Sequence, residues 1–356
     1  MRVAVVGLGV AGLMIAWTLS SRGFRVYAID DESRLSATHV SAGIVTLLMP
    51  EPFIHMALRS LEVYRENFKS SAVEANLYWI HKRDTCSIGI ARTLDKLRVN
   101  LEFLSEGKRD FRVPEGLEFK LEEGEALARL NTVIVDTGSL RAEVLRNVED
   151  YIVGRAKVKC GIVSIGNETV KADYIILSMG PWTPLPKDTA MIYACETAFL
   201  KAIVNVEEAL ALIDDSLDFY AVFRGGEVQV GNGGYRASTR PEELYSPDPE
   251  SIGFVLDSLA LRVAGASAWE VDRVLSVPCV SCPDAAPAVG PLPTCPSTIV
   301  ATGLNGAGVS LAPALAEILA DYIEGRKEIP SFLRLDRRVK DLGIRPSEPF
   351  RLCPST

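Results

Sequence analysis

Histidine is scarce in this chain, and its few copies are widely separated. Only His39, His55 and His81 occur among 356 residues. A zinc site needs three or four ligands at suitable spacing, and the isolated C-x-x-C of Cys279 and Cys282 supplies only two. The sequence therefore predicts no metal site and sets metal catalysis aside.

Positive charge is also in short supply. The formal net charge is -8, which opposes broad binding to the phosphate backbone of a nucleic acid. The exception is the segment from Arg326 to Thr356, whose eight basic and four acidic residues give 8 − 4 = +4. We interpret this segment as a solvated surface, and we predict no nucleic-acid partner.

An even set of cysteines is lacking as well. The chain has seven, and no cleavable signal is evident, which is typical of an intracellular protein. We therefore predict a cytoplasmic location and a packing role for most of the thiols. The uncharged stretch from Val3 to Ser21 could also be a signal peptide or a membrane span. Its regularly spaced glycines favour a nucleotide-binding turn instead, so we predict no transmembrane segment.

The stretch from residue 2 to residue 30 has the order of a dinucleotide-binding βαβ unit. An apolar run leads into G-x-G-x-x-G, followed by a helix-period stretch, a second apolar run and a terminal acid. Gly7 permits the tight turn, Gly9 admits a pyrophosphate, and Gly12 lets the helix pack on the strand. The phosphates would meet the free N–H groups and positive end of the helix. Asp30 would accept hydrogen bonds from a ribose diol.

The rest of the chain alternates between nucleotide-binding signals and period-two segments typical of antiparallel strands. The predicted strands and helices are a strand-like run at 44–49, a helix at 140–151, strands at 157–165, 172–178 and 298–301, and helices at 252–264 and from Leu311 onward. Antiparallel strands are expected at 193–235, joined by a hairpin at Arg224-Gly-Gly226. The polar stretch 236–250 is the best candidate for a loop or a lid.

Three separated nucleotide-binding pieces are unusual for a nicotinamide dehydrogenase, whose binding half is normally contiguous. They fit a flavoprotein that holds one extended dinucleotide. The predicted fold class is α/β, with a Rossmann-type FAD-binding domain and an inserted substrate domain of largely antiparallel β-sheet plus helices. The predicted boundaries are 1–70, 131–190 and 276–330 for the FAD-binding domain, 71–130 and 191–275 for the substrate domain, and 331–356 for a C-terminal tail.

Over nearly its whole length the chain resembles the D-amino acid oxidase, glycine oxidase and sarcosine oxidase family of FAD enzymes. The stretches that carry the resemblance are the GxGxxG unit ending at Asp30, the small-residue loop THVSAGI at 38–44, ADYIILSMGPW at 172–182, PDAAPAVG at 283–290, and the closing loop and helix at 301–314. Each is modest alone, and their common order makes the resemblance strong.

The resemblance implies FAD as the cofactor, held by residues from all of these stretches and from one further strand. The implied cofactor-binding residues are Gly7, Gly9, Val10, Ala11, Gly12, Asp30, Asp31, Thr38, Ser41, Ala42, Gly43, Val158, Gly180, Trp182, Gly303, Asn305, Gly306, Ala307, Gly308 and Val309. The loop 305–308 and the helix after it would stabilise negative charge that develops on the flavin.

The implied chemistry is oxidation of a C–N bond by hydride transfer to the flavin, so no catalytic triad is needed. Tyr220 falls where D-amino acid oxidases place a tyrosine that contacts the substrate carboxylate, although a structural tyrosine in a half-buried strand fits the pattern as well. The arginine with which relatives clamp the carboxylate is replaced here by Cys279. The lysine that sarcosine oxidases carry in the closing loop is replaced by Ser310. Arg224 or Arg236 could substitute for the arginine.

Cys279 has a second interpretation. Sarcosine oxidases attach flavin to a cysteine two residues earlier in this strand, at the position of Val277 in this chain. Two residues along a strand keep the same face, so covalent attachment of FAD to Cys279 is a further hypothesis. A small buried hydrophobe is the alternative. The predicted catalytic residues are thus Tyr220, Arg224, Arg236 and Cys279.

The predicted function is oxidation of a D-amino acid, glycine, sarcosine or proline type of substrate, with oxygen, an artificial acceptor or a quinone taking the electrons. Two alternatives stay open at this point. One is a flavin-dependent 2-hydroxy acid dehydrogenase, because the missing arginine removes the amino acid signature. The other is a flavin-bearing subunit of an electron-transfer complex. A homo-oligomer is compatible with each of these interpretations.

Overall fold

The computed structural model describes residues 1–185, 190–232 and 236–337. Its helices and strands follow in chain order. They are β1 (Arg2–Val6), α1 (Val10–Ser21), β2 (Arg25–Asp30), α2 (Phe53–Asn67), β3 (Ala72–Lys82), α3 (Thr85–Lys96), β4 (Glu102–Glu106), β5 (Arg109–Arg112), β6 (Glu118–Leu121), β7 (Glu125–Val135), α4 (Thr137–Arg146), β8 (Asp150–Val153), β9 (Ala156–Lys159), β10 (Ile162–Ile165), β11 (Glu168–Lys171), β12 (Tyr174–Leu177), β13 (Met191–Asp214), β14 (Phe219–Gly231), α5 (Pro249–Arg262), β15 (Glu270–Ser281), β16 (Ala288–Leu292), β17 (Cys295–Thr302) and α6 (Gly308–Ile323).

The first sheet is built around β1. Its strand order is β16-β17-β12-β1-β2-β8, and every neighbouring pair is parallel except β16 with β17. Val3 to Val6 are buried on both faces, as a central parallel strand covered on each side must be. Helix α6 packs against both α1 and α2. The three segments predicted to form this sheet therefore do come together in it.

The second sheet has the order β14-β13-β3-β7-β4, with β15 also paired to β13. Only the β13–β3 pair is parallel; the others are antiparallel. Tyr220 and Val222 pack toward the core shared with the first sheet, whereas Ala221 and Phe223 face a second core beneath α5. This confirms the predicted fold class. The exact domain boundaries stay a prediction.

The predicted hairpin at Arg224-Gly-Gly226 is wrong. These residues lie inside β14, where Gly225 has a φ of 56° and the pairing with β13 shifts register. The turn that joins β13 to β14 spans residues 215–218. The Asp214 carboxylate stabilises it by accepting hydrogen bonds from the N–H groups of Ser216 (2.8 Å) and Leu217 (2.9 Å). The glycine pair thus marks a bulge, an alternative physical use of glycine in a strand.

Other predicted boundaries are also corrected. The helix predicted at 140–151 ends at Arg146, and its last residues belong to β8 at the edge of the first sheet. Residues 44–49 form no strand; Ile44 makes only an isolated bridge to Ile134. Helix α3 was not predicted. Of the predicted tail, residues 338–356 lie outside the described residues, while Leu333 is fully buried.

The packing role predicted for most thiols is wrong. Disulfides join Cys160 to Cys295 and Cys195 to Cys279, and Cys86 is also disulfide-bonded. Disulfides persist in oxidising compartments and inside hyperthermophile cells, so the cytoplasmic location stays a prediction. The uncharged stretch near the start of the chain folds as β1 and α1. No helix in the described ranges has the length and apolar character needed to cross a membrane.

A buried ion triad joins helix α5 to strands β7 and β13 of the second sheet. The Arg262 guanidinium donates to both carboxylate oxygens of Glu125, at 2.7 and 2.5 Å, and to the Asp214 carboxylate. All three side chains are at most 3% exposed. Removing one partner would leave buried uncompensated charge. The loss of the triad should therefore lower the free energy of unfolding far more than the loss of a surface pair.

We expect Arg262→Ala to lower the free energy of unfolding by about 3–5 kcal/mol, the usual cost of breaking a buried pair. Urea titration would measure it. Arg65→Ala is the matched control, since Arg65 forms a similar two-bond pair with Glu74 at the surface and should cost about 0.2–1 kcal/mol. Equal losses in the two variants would contradict the assignment.

Candidate cofactor and substrate site

The turn between β1 and α1 is closed by backbone contact. Gly7 has a φ of 91°, and a Cβ there would lie 2.7 Å from the Ser178 carbonyl oxygen. A Cβ on Gly12 would lie only 1.9 Å from the Gly7 carbonyl oxygen. The Ser178 hydroxyl donates to that same carbonyl at 2.8 Å. Glycine is therefore required at both positions by the approach of α1 to β1 and β12.

The carboxylate at the end of β2 is held in a fixed orientation. Asp30 accepts hydrogen bonds from the N–H groups of Leu8 (2.5 Å) and Glu32 (2.9 Å). Arg141 donates to the Leu8 carbonyl at 2.9 Å and to the Glu32 carboxylate at 2.9 Å. The glycine turn and the acid are thus tied together at one end of a long cleft.

The cleft has a volume of about 810 Å³, which lies within the range of about 300–1,000 Å³ for small-molecule sites. Most of the predicted cofactor residues line it. These are Gly7, Gly9, Val10, Ala11, Asp30, Asp31, Thr38, Ser41, Gly180, Trp182, Gly303, Asn305, Gly306, Gly308 and Val309. The cleft runs from the Asp30 end, past the start of α1, to the loop before α6, so its shape fits an extended dinucleotide.

The remaining predicted cofactor residues lie elsewhere. Ala42, Gly43 and Ala307 line a smaller neighbouring cavity, and Gly12 contributes by packing. Val158 was also predicted to bind the cofactor, but it does not line the cleft. Its side chain packs beside the core between β10 and the first sheet. The preceding residues Gly154, Arg155 and Ala156 line the cleft instead.

One side of the cleft is bridged by residues from three separate segments. Arg34 pairs with the Glu242 carboxylate at 2.8 Å and lies over the Trp182 ring. The Trp182 indole N–H donates to the same carboxylate at 3.4 Å. The bond with Arg34 lowers the pKa of Glu242 to about 2. Glu242 belongs to the predicted lid, whose short 3-10 turn spans Pro241–Leu244. Arg34 had no recognisable signal in the sequence.

The far end of the cleft is formed by the loop before α6. Gly303, Asn305 and Gly306 all have positive φ values, which lets the loop turn tightly into the helix. The first N–H groups of a helix have no partner within it, and their dipole favours negative charge. Since the start of α6 lines the cleft, its N–H groups can face a ligand group that carries negative charge.

The smaller cavity, of about 80 Å³, adjoins this end of the cleft. Its wall combines the loop at 37–46 and the start of α6 with residues on or next to the second sheet, namely Cys195, Thr197, Ile213, Tyr220, Asn232 and Cys279. Cys279 lines both cavities. The Tyr220 and Thr197 hydroxyls are 3.1 Å apart, and burial raises the pKa of Tyr220. Tyr220 therefore stays protonated across the physiological range.

The two arginines predicted to face the substrate do not line this cavity. Arg224 donates to the Ala42 carbonyl at 3.1 Å, and burial lowers its pKa. Arg236 pairs with the buried Glu196 carboxylate at 3.2 Å and donates to the Ser246 carbonyl. Each guanidinium is thus engaged in holding a loop, and the expected contact with the cavity is not observed.

Two other predicted positions are fixed by their bonds. The Cys279 sulfur is joined to Cys195 and is not available for a bond to flavin in this state. The Ser310 hydroxyl accepts from the Thr46 N–H at 3.0 Å and donates to the Ile44 carbonyl at 3.3 Å. Ser310 therefore holds the loop at 44–46 against α6. No group of metal-ligating side chains occurs in the described part of the chain.

Comparisons with known proteins agree with this geometry. A family model described as "FAD dependent oxidoreductase" (DAO) matches residues 2–322. A search of curated protein sequences finds no match. Among solved structures, glycine oxidase from Bacillus cereus ATCC 14579 is 18% identical with a TM-score of 0.74, and the alignment covers 95% of this chain and 99% of that one.

Two further solved structures are similar over most of their length. Iminodiacetate oxidase from Chelativorans sp. BNC1 is 17% identical with a TM-score of 0.74, covering 92% of this chain and 97% of that one. L-proline dehydrogenase from P. horikoshii is 17% identical with a TM-score of 0.77, covering 92% and 95%. At these identities the structural matches support the fold alone.

We expect Asp30→Ala to weaken FAD binding by roughly 10–150-fold. A lost hydrogen bond to a charged group is worth about 1.5–3 kcal/mol. Titrating apoprotein with FAD and following flavin fluorescence would measure the dissociation constant. Asp150→Ala is the control, because Asp150 starts the neighbouring strand and pairs with Arg25 outside the cleft. An unchanged constant in Asp30→Ala would contradict the role of Asp30.

Proposed function

Since the chain belongs to the DAO family of FAD-dependent oxidoreductases, we propose that it oxidises the C–N bond of a small amino acid or secondary amine. FAD is the cofactor of this family. Three of the structural neighbours are named for glycine, iminodiacetate and proline, which are small amino acids or amines, while others are named for fructosyl peptides. The feature of this chain that carries the proposal is the small cavity where the cleft ends.

The order of groups along the cleft supports this position for the substrate. Asp30 marks the adenosine end, and the start of α1 suits the pyrophosphate. The flavin ring then belongs at the loop before α6, beside the cavity of about 80 Å³. A cavity of that size favours a compact substrate.

The residues of the chain bind and orient the substrate, while FAD supplies the hydride acceptor. Tyr220 reaches the cavity from the second sheet, and its raised pKa keeps the phenol a hydrogen-bond donor. Thr197 lies within hydrogen-bond distance of it and can orient the phenol. On the opposite side, the start of α6 offers N–H groups and a positive dipole end to developing negative charge. The second sheet forms one wall of this site.

Anaerobic mixing of holoprotein with a substrate panel would test the proposal. We expect a member of the glycine, sarcosine, proline or D-amino acid set to bleach the flavin absorbance, with the matching imine hydrolysis product formed. Reduction by lactate alone would instead favour the 2-hydroxy acid alternative. Repeating the reaction with oxygen and then with a quinone-like dye would identify the electron acceptor.

We expect Tyr220→Phe to lower kcat/KM by roughly tenfold, which corresponds to about one lost hydrogen bond. FAD content should stay unchanged, because Tyr220 lines the small cavity and not the cleft. Tyr64→Phe serves as the control: Tyr64 is fully buried in α2, and its loss should leave kcat/KM unaltered. Wild-type kinetics in Tyr220→Phe would remove this residue from the substrate site.

A further inference from the structure

The wall of the small cavity contains a disulfide. Cys195 of β13 and Cys279 of β15 both line the cavity, and Cys279 also lines the cleft. In the β13–β15 pairing Cys195 lies opposite Val277 and Cys279 lies opposite Tyr193. The bridge is therefore a diagonal cross-strand link on the face of the sheet that is turned toward the cleft.

The position of this bridge relative to the flavin ring follows from the cleft itself. Its Asp30 end and its α1 end are assigned to adenosine and pyrophosphate, which leaves the loop at 303–309 for the ring. That loop and Cys279 line the cleft together. Cys279 thus lies where the end of the cleft meets the substrate cavity.

The second described disulfide provides a contrast. Cys160 is exposed at the surface and pairs with Cys295 at the start of β17. Neither residue lines the cleft or the small cavity. In the other bridge Cys279 is buried and Cys195 is half-buried. The Cys160–Cys295 bridge thus lies away from the cleft, whereas the Cys195–Cys279 bridge faces the site where a two-electron cofactor fits.

We propose that Cys195 and Cys279 form a second two-electron centre that exchanges electrons with FAD. In one direction the S–S bond breaks as two electrons pass from reduced FAD, two protons complete the two thiols, and FAD returns to its oxidised form. In the other direction the two thiols give up two electrons and two protons to oxidised FAD, and the S–S bond forms. The proposal rests on bound FAD and not on the identity of the substrate.

Anaerobic photoreduction of the holoprotein with a deazaflavin tests the exchange without any substrate. We expect about four electrons to be consumed per FAD, two by the flavin and two by the disulfide. After quenching in denaturant with N-ethylmaleimide, peptide mass mapping should find Cys195 and Cys279 alkylated. Cys160 and Cys295 should stay joined. Consumption of about two electrons with no label on Cys195 or Cys279 would overturn the proposal.

Apoprotein treated in the same way separates transfer through FAD from direct reduction by the dye. We expect no label on Cys195 and Cys279 in apoprotein, and equal labelling with and without FAD would also overturn the proposal. The double variant Cys195→Ser/Cys279→Ser should consume about two electrons per FAD, whereas Cys160→Ser/Cys295→Ser should still consume about four. If the first variant fails to bind FAD, the comparison of wild-type holoprotein and apoprotein still decides.

Discussion

The close backbone approach at Gly7 is the constraint on which the rest of the structure depends. There the end of β1, the start of α1 and the end of β12 meet, so that a single Cβ on Gly7 or Gly12 would overlap backbone atoms. This contact fixes the direction of α1 and opens a cleft at the carboxyl ends of the parallel strands, where open α/β sheets bind ligands. The second sheet covers one end of this cleft. Contacts between main-chain atoms thus shape the cleft that fits FAD.

The second sheet completes the site by holding its loops as well as by covering it. From β14, Arg224 and Gln229 donate to the carbonyls of Ala42 and Val40, at 3.1 and 2.7 Å. The loop beneath the small cavity is therefore fastened to the sheet that carries Tyr220. This arrangement explains why the guanidinium of Arg224 does not reach the cavity. The Arg224 guanidinium already binds a carbonyl, and so it holds this loop.

The sequence predicted best the features that local sterics decide. The glycine turn, Asp30 and the loop before α6 follow from short-range rules, and nearly all of their predicted residues line the cleft. Features that depend on distant partners were missed or misplaced. Arg236 was assigned to the substrate site because its distant partner Glu196 in β13 could not be recognised, and disulfide connectivity cannot be deduced from the order of cysteines. The hairpin failed because glycine serves a bulge as readily as a turn.

The most direct test of the central claim is the flavin content of the purified chain. Acid precipitation should leave one FAD per chain in the supernatant, because the cleft holds the dinucleotide by non-covalent contacts and the Cys279 sulfur is bonded to Cys195. The released flavin should be identified as FAD and not FMN, since only FAD carries the adenosine that Asp30 would bind. A colourless protein that instead binds NAD, or a flavin that stays in the precipitate, would contradict this account.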